Sequence, residues 1–100
     1  MANVQLEYHR LAIIEVRKAK RWYQRRSLKT GVRFEEAVRQ GLAEIADNPD
    51  HWPTNPDGTR FRRLTRFPYL IIYRQLDAQR VRIVAVVHGR RRHSFWSRRK

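Results

Sequence analysis

The chain has 100 residues, no cysteine and a formal net charge of +14 at pH 7. This length fits one small domain, and the lack of cysteine excludes disulfides, thiolate catalysis and cysteine-ligated zinc. The four histidines are scattered without ligand spacing, so we expect no metal site and no cofactor. Because there is no apolar run of about 20 residues and no signal-peptide pattern, we expect a cytoplasmic protein that does not enter a membrane.

The positive charge is concentrated in the last third of the chain. From Arg60 onward there are 12 Arg and one Lys against one acid, Asp77, which gives +12, while residues 1–59 carry ten basic and eight acidic residues, which gives +2. Nineteen of the 23 basic residues are Arg, whose planar guanidinium binds phosphate or carboxylate through two donors. This uneven distribution favours an anionic partner, either nucleic acid or an acidic protein surface, over a charge that serves only solubility.

A strand and a helix are predicted from the changing period of the apolar residues. Alternation of Val4, Leu6 and Tyr8 with polar residues predicts a strand over residues 3–8. A helical period then predicts a helix over residues 9–27, whose inner face carries Ala12, Val16, Ala19 and Tyr23. The opposite face is basic with one aliphatic residue, and it carries Arg10, Ile14, Arg17, Arg21 and Arg25.

The second helix is predicted over residues 30–47, after a non-helical break in which Ser27 or Thr30 supplies the N-terminal cap. Asn48-Pro49 ends this helix, because the residue before a proline is disfavoured in helical conformation. A short connection predicts that the two helices form an antiparallel hairpin. Gly41, inside the second helix, is expected to permit close approach to the first.

A loop and three strands fill the second half of the chain. Pro53, Pro56 and Asp57-Gly58 mark a loop over residues 48–59 that ends in a turn. Apolar and aromatic runs then predict three strands, over residues 60–64, 69–76 and 80–88. The three residues between the last two strands are short enough for a hairpin turn, and a basic, aromatic tail occupies residues 89–100.

The strand pattern gives the fold class. In the last strand, one face is predicted to carry Val81, Ile83, Ala85 and Val87. Because the last two strands are apolar on both faces, we expect them to be central in the sheet. The sequence therefore predicts one α+β domain over residues 1–100 in the order β-α-α-β-β-β. It has an N-terminal strand, an antiparallel helical hairpin packed on one face of the sheet, and a three-stranded antiparallel meander.

An ordered set of short motifs spans nearly the whole chain. The set comprises Trp22-Tyr23 with Ser27, Phe34, Ala46-Asp47-Asn48-Pro49, Arg62-Arg63-Leu64, Arg66-Phe67-Pro68-Tyr69, Ile72-Tyr73, Val84-Ala85-Val86-Val87-His88, Arg91-Arg92-His93 and Trp96 with Arg99. With these motifs in this order, the chain resembles the ParE/RelE superfamily of bacterial toxins from type II toxin–antitoxin systems, also described as plasmid stabilisation proteins. It is closer to the ParE-like members.

The resemblance implies a small cytoplasmic toxin that a partly disordered segment of a cognate antitoxin wraps and silences, with higher-order complexes left open. ParE-like members inhibit DNA gyrase and RelE-like members cut mRNA on the ribosome, and the fold does not decide between them. We expect a gyrase inhibitor without covalent chemistry of its own, and the alternative is a ribosome-dependent mRNA endoribonuclease. A plain nucleic-acid-binding module is a weaker third interpretation, because no DNA- or RNA-reading motif is present.

Under the nuclease alternative, a base, an acid and cations near the phosphate are needed for metal-free RNA cleavage. The candidate catalytic residues are then Arg62, Arg63, His88 and Arg91. In RelE-like members the resemblance places a third-strand arginine at the position of Leu70 and a C-terminal tyrosine near Phe95. Both positions of this chain depart from the nuclease pattern, and the departures favour gyrase binding.

Two protein surfaces are predicted from the charge and the resemblance. The predicted target contacts are Arg62, Arg63, His88, Arg90, Arg91, Arg92, Trp96, Arg98 and Arg99. The predicted antitoxin contacts are Arg10, Ile14, Arg17 and Arg21, in which one apolar side chain is ringed by charge. Trp96 is also expected to fold back over the sheet, because burial of its ring contributes on the order of 2–3 kcal/mol.

Overall fold

A computed structural model describes residues 4–90 and 95–100, with the helices and strands in the predicted order. The elements are β1 (Gln5–Tyr8), α1 (Arg10–Arg26), α2 (Leu28–Asp47), β2 (Arg60–Arg63), β3 (Tyr69–Gln75), β4 (Arg80–His88) and a 3-10 helix at Phe95–Arg98. The α+β class and the β-α-α-β-β-β order are confirmed. Asn3, the first residue of the predicted N-terminal strand, lies outside the described residues.

The four strands form one mixed sheet in the order β1-β4-β3-β2. β2 with β3 and β3 with β4 are antiparallel, as predicted, whereas β1 runs parallel to β4. β1 pairs only with the stretch from Arg80 to Ile83, so the second half of β4 has no strand on that side among the described residues. The central position of β3 and β4 agrees with their apolar residues on both faces.

A single residue separates the two helices, where the sequence predicts a longer break. The N–H of Ser27 bonds to the carbonyl of Tyr23 at 3.0 Å and ends α1. The hydroxyl of Ser27 accepts from the N–H of Thr30 at 3.3 Å and caps α2. Gly31 lies inside α2, where a Cβ would come 3.0 Å from the Cβ of Gln24, so Gly31 is the position that lets the two helices approach each other.

Gly41 allows α2 to approach the sheet and not α1, which corrects the prediction for this residue. A Cβ at Gly41 would lie 2.9 Å from Cδ1 of Ile71 and 3.3 Å from Cδ2 of Leu64. Both neighbours are buried in the core between the helices and the sheet. α2 therefore packs close to the sheet, because Gly41 on its inner face has no side chain.

The sheet is covered on both faces. On one face the helices enclose the main core, whose largest buried side chains include Phe34, Ile45 and Tyr73. On the other face a smaller cluster consists of Ile72, Val84, Ala85, Val87 and Trp96, with Phe61, Leu70 and Phe95 against it. Trp96 is 6% exposed, so the prediction that it folds back over the sheet is confirmed. Residues 95–100, the C-terminal segment, thus cover the face that the helices leave free.

A β-bulge at Val84 corrects the predicted alternation in β4. The pairing with β3 skips Val84, so one extra residue is inserted on β4. Ile83 lies in the core under the helices, but Ala85 and Val87 lie on the opposite face with Trp96. A period of two cannot predict such an insertion, because one added residue exchanges the faces of every residue after it.

Candidate functional site

A cleft of about 710 Å³ lies between α1 and the second half of β4. α1 contributes Glu15, Lys18 and Trp22 to its lining, and the sheet contributes Tyr69 and His88. Trp22 is 48% exposed, so an aromatic surface is open to solvent at this place. The α1–β4 cleft thus combines aromatic rings with ionisable side chains.

His88, the last residue of β4, lines the α1–β4 cleft. Its Nδ1 accepts a hydrogen bond from the N–H of Arg90 at 3.1 Å, and its ring meets that of Tyr69 with centroids 5.3 Å apart. In the neutral ring this bond places the proton on Nε2, which is then a donor. No carboxylate within residues 4–90 and 95–100 forms a hydrogen bond or an ion pair with His88. The backbone N–H of Arg90 therefore sets the tautomer of the neutral ring, and the described residues supply no carboxylate partner for acid–base catalysis.

Arg62 is bound to α2. Its Nε and Nη2 donate to Oε1 of Glu44 at 2.9 and 2.5 Å, and its guanidinium lies 4.5 Å from the centre of the Trp52 ring. The Arg62 side chain is 14% exposed. Arg62 was predicted to clamp phosphate. In the structure Glu44 pairs with its charge and Trp52 covers its guanidinium plane, so Arg62 is part of the packing between α2 and β2.

The predicted nuclease residues that the structure describes are not gathered on one face of the sheet. Arg62 points toward α2, whereas its neighbour Arg63 lies opposite Leu70, which packs on the face covered by the C-terminal segment. Successive residues of a strand point to opposite faces, so these two arginines cannot clamp one phosphate on one face. His88 lies at the α1–β4 cleft, and Arg91 lies outside the described residues.

Arg99 of the C-terminal segment is tied to α1. Its Nη1 and Nη2 donate to Oε1 and Oε2 of Glu15 at 3.0 and 2.9 Å, and its side chain is 12% exposed. Partial burial, followed by the nearby charge of Arg99, lowers the pKa of His9, which caps the N-terminus of α1. Together with buried Trp96, Arg99 fixes the C-terminal segment on the sheet and is not a free surface cation.

Three arginines of the predicted target surface remain exposed. They are Arg63, Arg90 and Arg98. None of the three forms an ion pair within the part of the chain that the structure describes. Arg91 and Arg92, which belong to the same predicted surface, lie outside the described residues.

A second concave surface, the helical groove, has a volume of about 470 Å³ and lies between α1, α2 and the end of β1. Tyr8 and Ile13 line it and are 47% and 39% exposed, and Arg17 and Lys20 add positive charge. Exposed apolar side chains beside cations are suited to an amphipathic acidic segment.

Of the predicted antitoxin contacts, Arg17 lines the helical groove. Arg10, Ile14 and Arg21 are exposed on α1 but do not line it. Ile13 was missed, because it falls outside both the inner face and the basic face assigned from the helical period. The sequence does carry a signal for an exposed apolar contact here, because two consecutive isoleucines lie beside an inner face too narrow to bury both.

Glu15 was also missed, although it bonds both Arg99 and the backbone of β4. The sequence carries a signal for it, since Glu15 is the one acid between Glu7 and Glu35 among nine Lys and Arg. An isolated acid in a basic stretch indicates a specific partner. The identity of that partner depends on the tertiary fold.

Residues 4–90 and 95–100 contain no group of three or more His, Asp and Glu side chains placed to hold a metal ion. Neither helix in this part of the chain is long and apolar enough to cross a membrane. The sequence has no cysteine that would supply a thiolate ligand.

Comparison with known families places the chain among the toxins of type II toxin–antitoxin systems. The family model described as ParE toxin of type II toxin-antitoxin system, parDE, matches residues 6–93. The chain therefore belongs to the ParE toxin family, which confirms the resemblance found in the sequence.

A solved structure titled "Chromosomal ParDE TA system from P. aeruginosa" has a similar fold, with a TM-score of 0.74 and 13% sequence identity. The similarity covers 86% of this chain and 96% of that chain. At this identity the likeness concerns the fold alone. Comparison with the sequences of curated proteins gives no match.

Proposed function

We propose that this ParE-family toxin inhibits DNA gyrase by binding it, without covalent chemistry of its own, and that a cognate antitoxin neutralises it. The observation that carries the step to gyrase is the separation of Arg62 from Arg63, the two predicted phosphate clamps. Arg62 is matched by Glu44 and Arg63 points to the other face of the sheet. The two further nuclease positions carry Leu70 and Phe95, which have no cation and no hydroxyl. A basic protein whose described residues assemble no acid–base pair fits a binding inhibitor better than a ribonuclease.

The proposed target surface joins the end of β4 to the outer side of the C-terminal segment. Its described residues are Arg63, His88, Arg90 and Arg98. Arg91 and Arg92, which lie outside the described residues, are included in the proposal on sequence alone. The exposed guanidinium groups are available for charge-assisted hydrogen bonds to carboxylates of the target protein or to phosphates of its DNA. Trp96 and Arg99 act indirectly, because they hold the C-terminal segment in place.

The proposed antitoxin site is the helical groove together with the basic face of α1. Tyr8, Ile13 and Ile14 are exposed apolar contacts, and Arg10, Arg17 and Arg21 provide positive charge on the same helix. An acidic amphipathic segment would bury the apolar side chains and pair its carboxylates with the arginines. Charge complementarity would also raise the rate of association.

A gyrase assay tests the proposal. Purified toxin, freed of antitoxin, is incubated with gyrase, ATP and plasmid DNA, and both cleaved DNA and supercoiling are measured. We expect cleavage complexes to accumulate and supercoiling to fall. Arg98→Ala should weaken inhibition, whereas Arg39→Ala, which removes an equal charge from an exposed position on α2, should not. Normal gyrase activity in the presence of a folded toxin would contradict the proposal.

A ribosome-dependent mRNA endoribonuclease is the second candidate function, and His88 is the observation that favours it. Nε2 of neutral His88 is a donor at a cleft that Lys18 also lines. A proton donor and a cation in one cleft are the minimal set of groups for stabilising a leaving oxygen. Under this alternative, mRNA is cut in a translating extract, and His88→Gln abolishes the cutting without lowering stability.

A further inference from the structure

On the side of β1, the second half of β4 is a strand edge that pairs with no neighbouring strand among the described residues. β1 ends at Tyr8, opposite Ile83, and the N–H of His9 bonds to the carbonyl of Ile83 at 2.9 Å. Beyond the bulge at Val84, no strand among the described residues lies on this side of β4. The α1–β4 cleft follows this stretch and leaves space beside it.

Two side chains make the hydrogen bonds that a neighbouring strand would otherwise make. Oε1 of Glu15 accepts from the N–H of Val86 at 3.0 Å, and Nη1 of Arg99 donates to the carbonyl of Val84 at 3.1 Å. Glu15 and Arg99 also form a two-bond ion pair with each other, and their side chains are 21% and 12% exposed. One acceptor from α1 and one donor from the C-terminus thus occupy the edge, and we call this pair the edge clasp.

The strand behind the edge clasp has a strong tendency to pair. Residues 83–87 are five consecutive buried apolar residues, four of them β-branched, with no charge, proline or glycine. Such segments pair readily with copies of themselves when their edge is exposed. An unpaired edge presents free N–H and C=O groups as a template for another chain, and proteins protect such edges with charged side chains.

We propose that Glu15 and Arg99 close the edge of β4 against pairing with β4 of a second copy of this protein. Two copies related by a two-fold axis would pair antiparallel through the same edge, which is a self-complementary contact. To pair, each copy would have to break a largely buried ion pair and leave its charges without partners. The net charge of +14 also opposes association, but repulsion between exposed charges is screened by salt, whereas a largely buried pair is screened much less.

The test uses the double variant Glu15→Ala/Arg99→Ala, which opens the edge and leaves the net charge unchanged because it removes one charge of each sign. Sedimentation velocity is measured in about 1 M salt, where the screening length is about 3 Å. We expect self-association roughly tenfold tighter than in the wild type, or more, because new backbone hydrogen bonds form across the edge. The Val86 amide should exchange quickly in the dilute monomer and slowly in the associated form.

Lys20→Ala/Glu35→Ala is the matched control. It also removes one charge of each sign, and its 3.0 Å ion pair joins the two helices without bonding to the sheet. We expect this variant to associate no more than the wild type. The proposal is overturned if the folded clasp variant stays as monomeric as the wild type, or if the control associates equally.

A second variant covers the case in which the alanine pair does not fold. Glu15→Gln keeps a carbonyl oxygen that can accept from Val86 but removes the ion pair with Arg99. We expect Glu15→Gln to self-associate more tightly than the wild type and less tightly than Glu15→Ala/Arg99→Ala. If the double variant does not fold, the comparison with the wild type alone is the test. An association constant equal to that of the wild type would overturn the proposal.

Discussion

Glu44 holds Arg62 through one carboxylate oxygen, which accepts from Nε at 2.9 Å and from Nη2 at 2.5 Å. The ring of Trp52 covers the guanidinium, so three elements of the chain meet at one arginine: α2, the loop after it, and β2. A side chain with matched charge and a covered plane cannot swing out to bind phosphate without losing these contacts. Arg62 is therefore expected to act on stability and not on the target.

The first prediction measures this coupling. Arg62→Gln should lower the free energy of unfolding by on the order of 1 kcal/mol, since Glu44 is 37% exposed and the pair is partly screened. A double-mutant cycle with Glu44→Gln in urea should give a coupling energy of similar size. If Arg62→Gln instead abolished toxin activity while its denaturation midpoint stayed unchanged, Arg62 would contact the target directly.

The second prediction concerns Trp96, which packs the C-terminal segment against the sheet. Trp96→Ala should lower the free energy of unfolding by about 3 kcal/mol or more, because it leaves a large cavity. Trp96→Phe should cost less, since the indole Nε1 has no hydrogen-bond partner among the described residues. Trp22→Ala is the control, and its 48% exposure predicts a clearly smaller loss of stability than Trp96→Ala. Equal melting temperatures for Trp96→Ala and the wild type would show that this packing is not needed.

The elements that were predictable from the sequence are those in which burial follows a regular period. Ala12 and Ala19 are buried on α1 as the helical period predicts, and the apolar runs of β3 and β4 take the centre of the sheet. Trp96 was predictable because exposure of so large a ring is unfavourable. In each case the local pattern and the tertiary fold require the same residue type.

The features that were not predictable depend on contacts between distant parts of the chain. Glu15 and Arg99 are 84 residues apart, and no local pattern relates them. The bulge at Val84 reverses the faces of β4 without leaving a glycine or a proline in the strand. The roles of Gly31 and Gly41 depend on which neighbour each one meets, which a helical period does not specify.

The third prediction is a pH effect from Tyr73, whose hydroxyl donates to the carbonyl of Pro49 at 2.6 Å. Burial raises the pKa of Tyr73 to about 12. In the unfolded chain the pKa is about 10, so between these values the unfolded chain loses a proton that the folded protein keeps. The contribution of Tyr73 to the free energy of unfolding is therefore complete below pH 10, and it is lost as the pH rises from 10 through about 12.

Tyr73→Phe isolates this effect. At neutral pH the variant should be about 1 kcal/mol less stable than the wild type, because the carbonyl of Pro49 loses its donor. Between about pH 9 and about pH 11 its stability should fall less steeply, since the variant has no phenol to ionise at this position. Denaturant melts at both values give the two slopes, and parallel slopes would show that Tyr73 does not ionise on unfolding.

The fourth prediction sets packing against helix propensity at Gly41. Alanine is favoured over glycine inside a helix by about 1 kcal/mol, so propensity alone predicts that Gly41→Ala stabilises the protein. A Cβ at this position would lie 2.9 Å from Cδ1 of Ile71, which is fully buried, and overpacking costs about 1–3 kcal/mol. We therefore expect a net loss of stability in urea denaturation. Ala43→Gly, at an exposed position of the same helix, measures the propensity effect alone.

The fifth prediction distinguishes the helical groove from the basic face of α1 as the antitoxin contact. Ile13 lines the helical groove, whereas Ile14, next to it, is similarly exposed but does not line the groove. Ile13→Asp should weaken binding of the antitoxin by roughly tenfold to a hundredfold, because burial of an isoleucine side chain is worth about 1.5–3 kcal/mol. Ile14→Asp should weaken it less if the groove carries most of the buried area.

The two aspartate variants remove the same side chain and add the same charge, so their difference reports position and not electrostatics. Titration calorimetry with the antitoxin encoded beside the toxin gene measures both affinities, and thermal melts check that each variant folds. A larger loss of affinity in Ile14→Asp would show that the antitoxin contacts the face of α1 that carries Arg10, Arg17 and Arg21. Unchanged affinity in both variants would remove α1 from the antitoxin interface, because an added carboxylate in a buried apolar contact cannot be neutral.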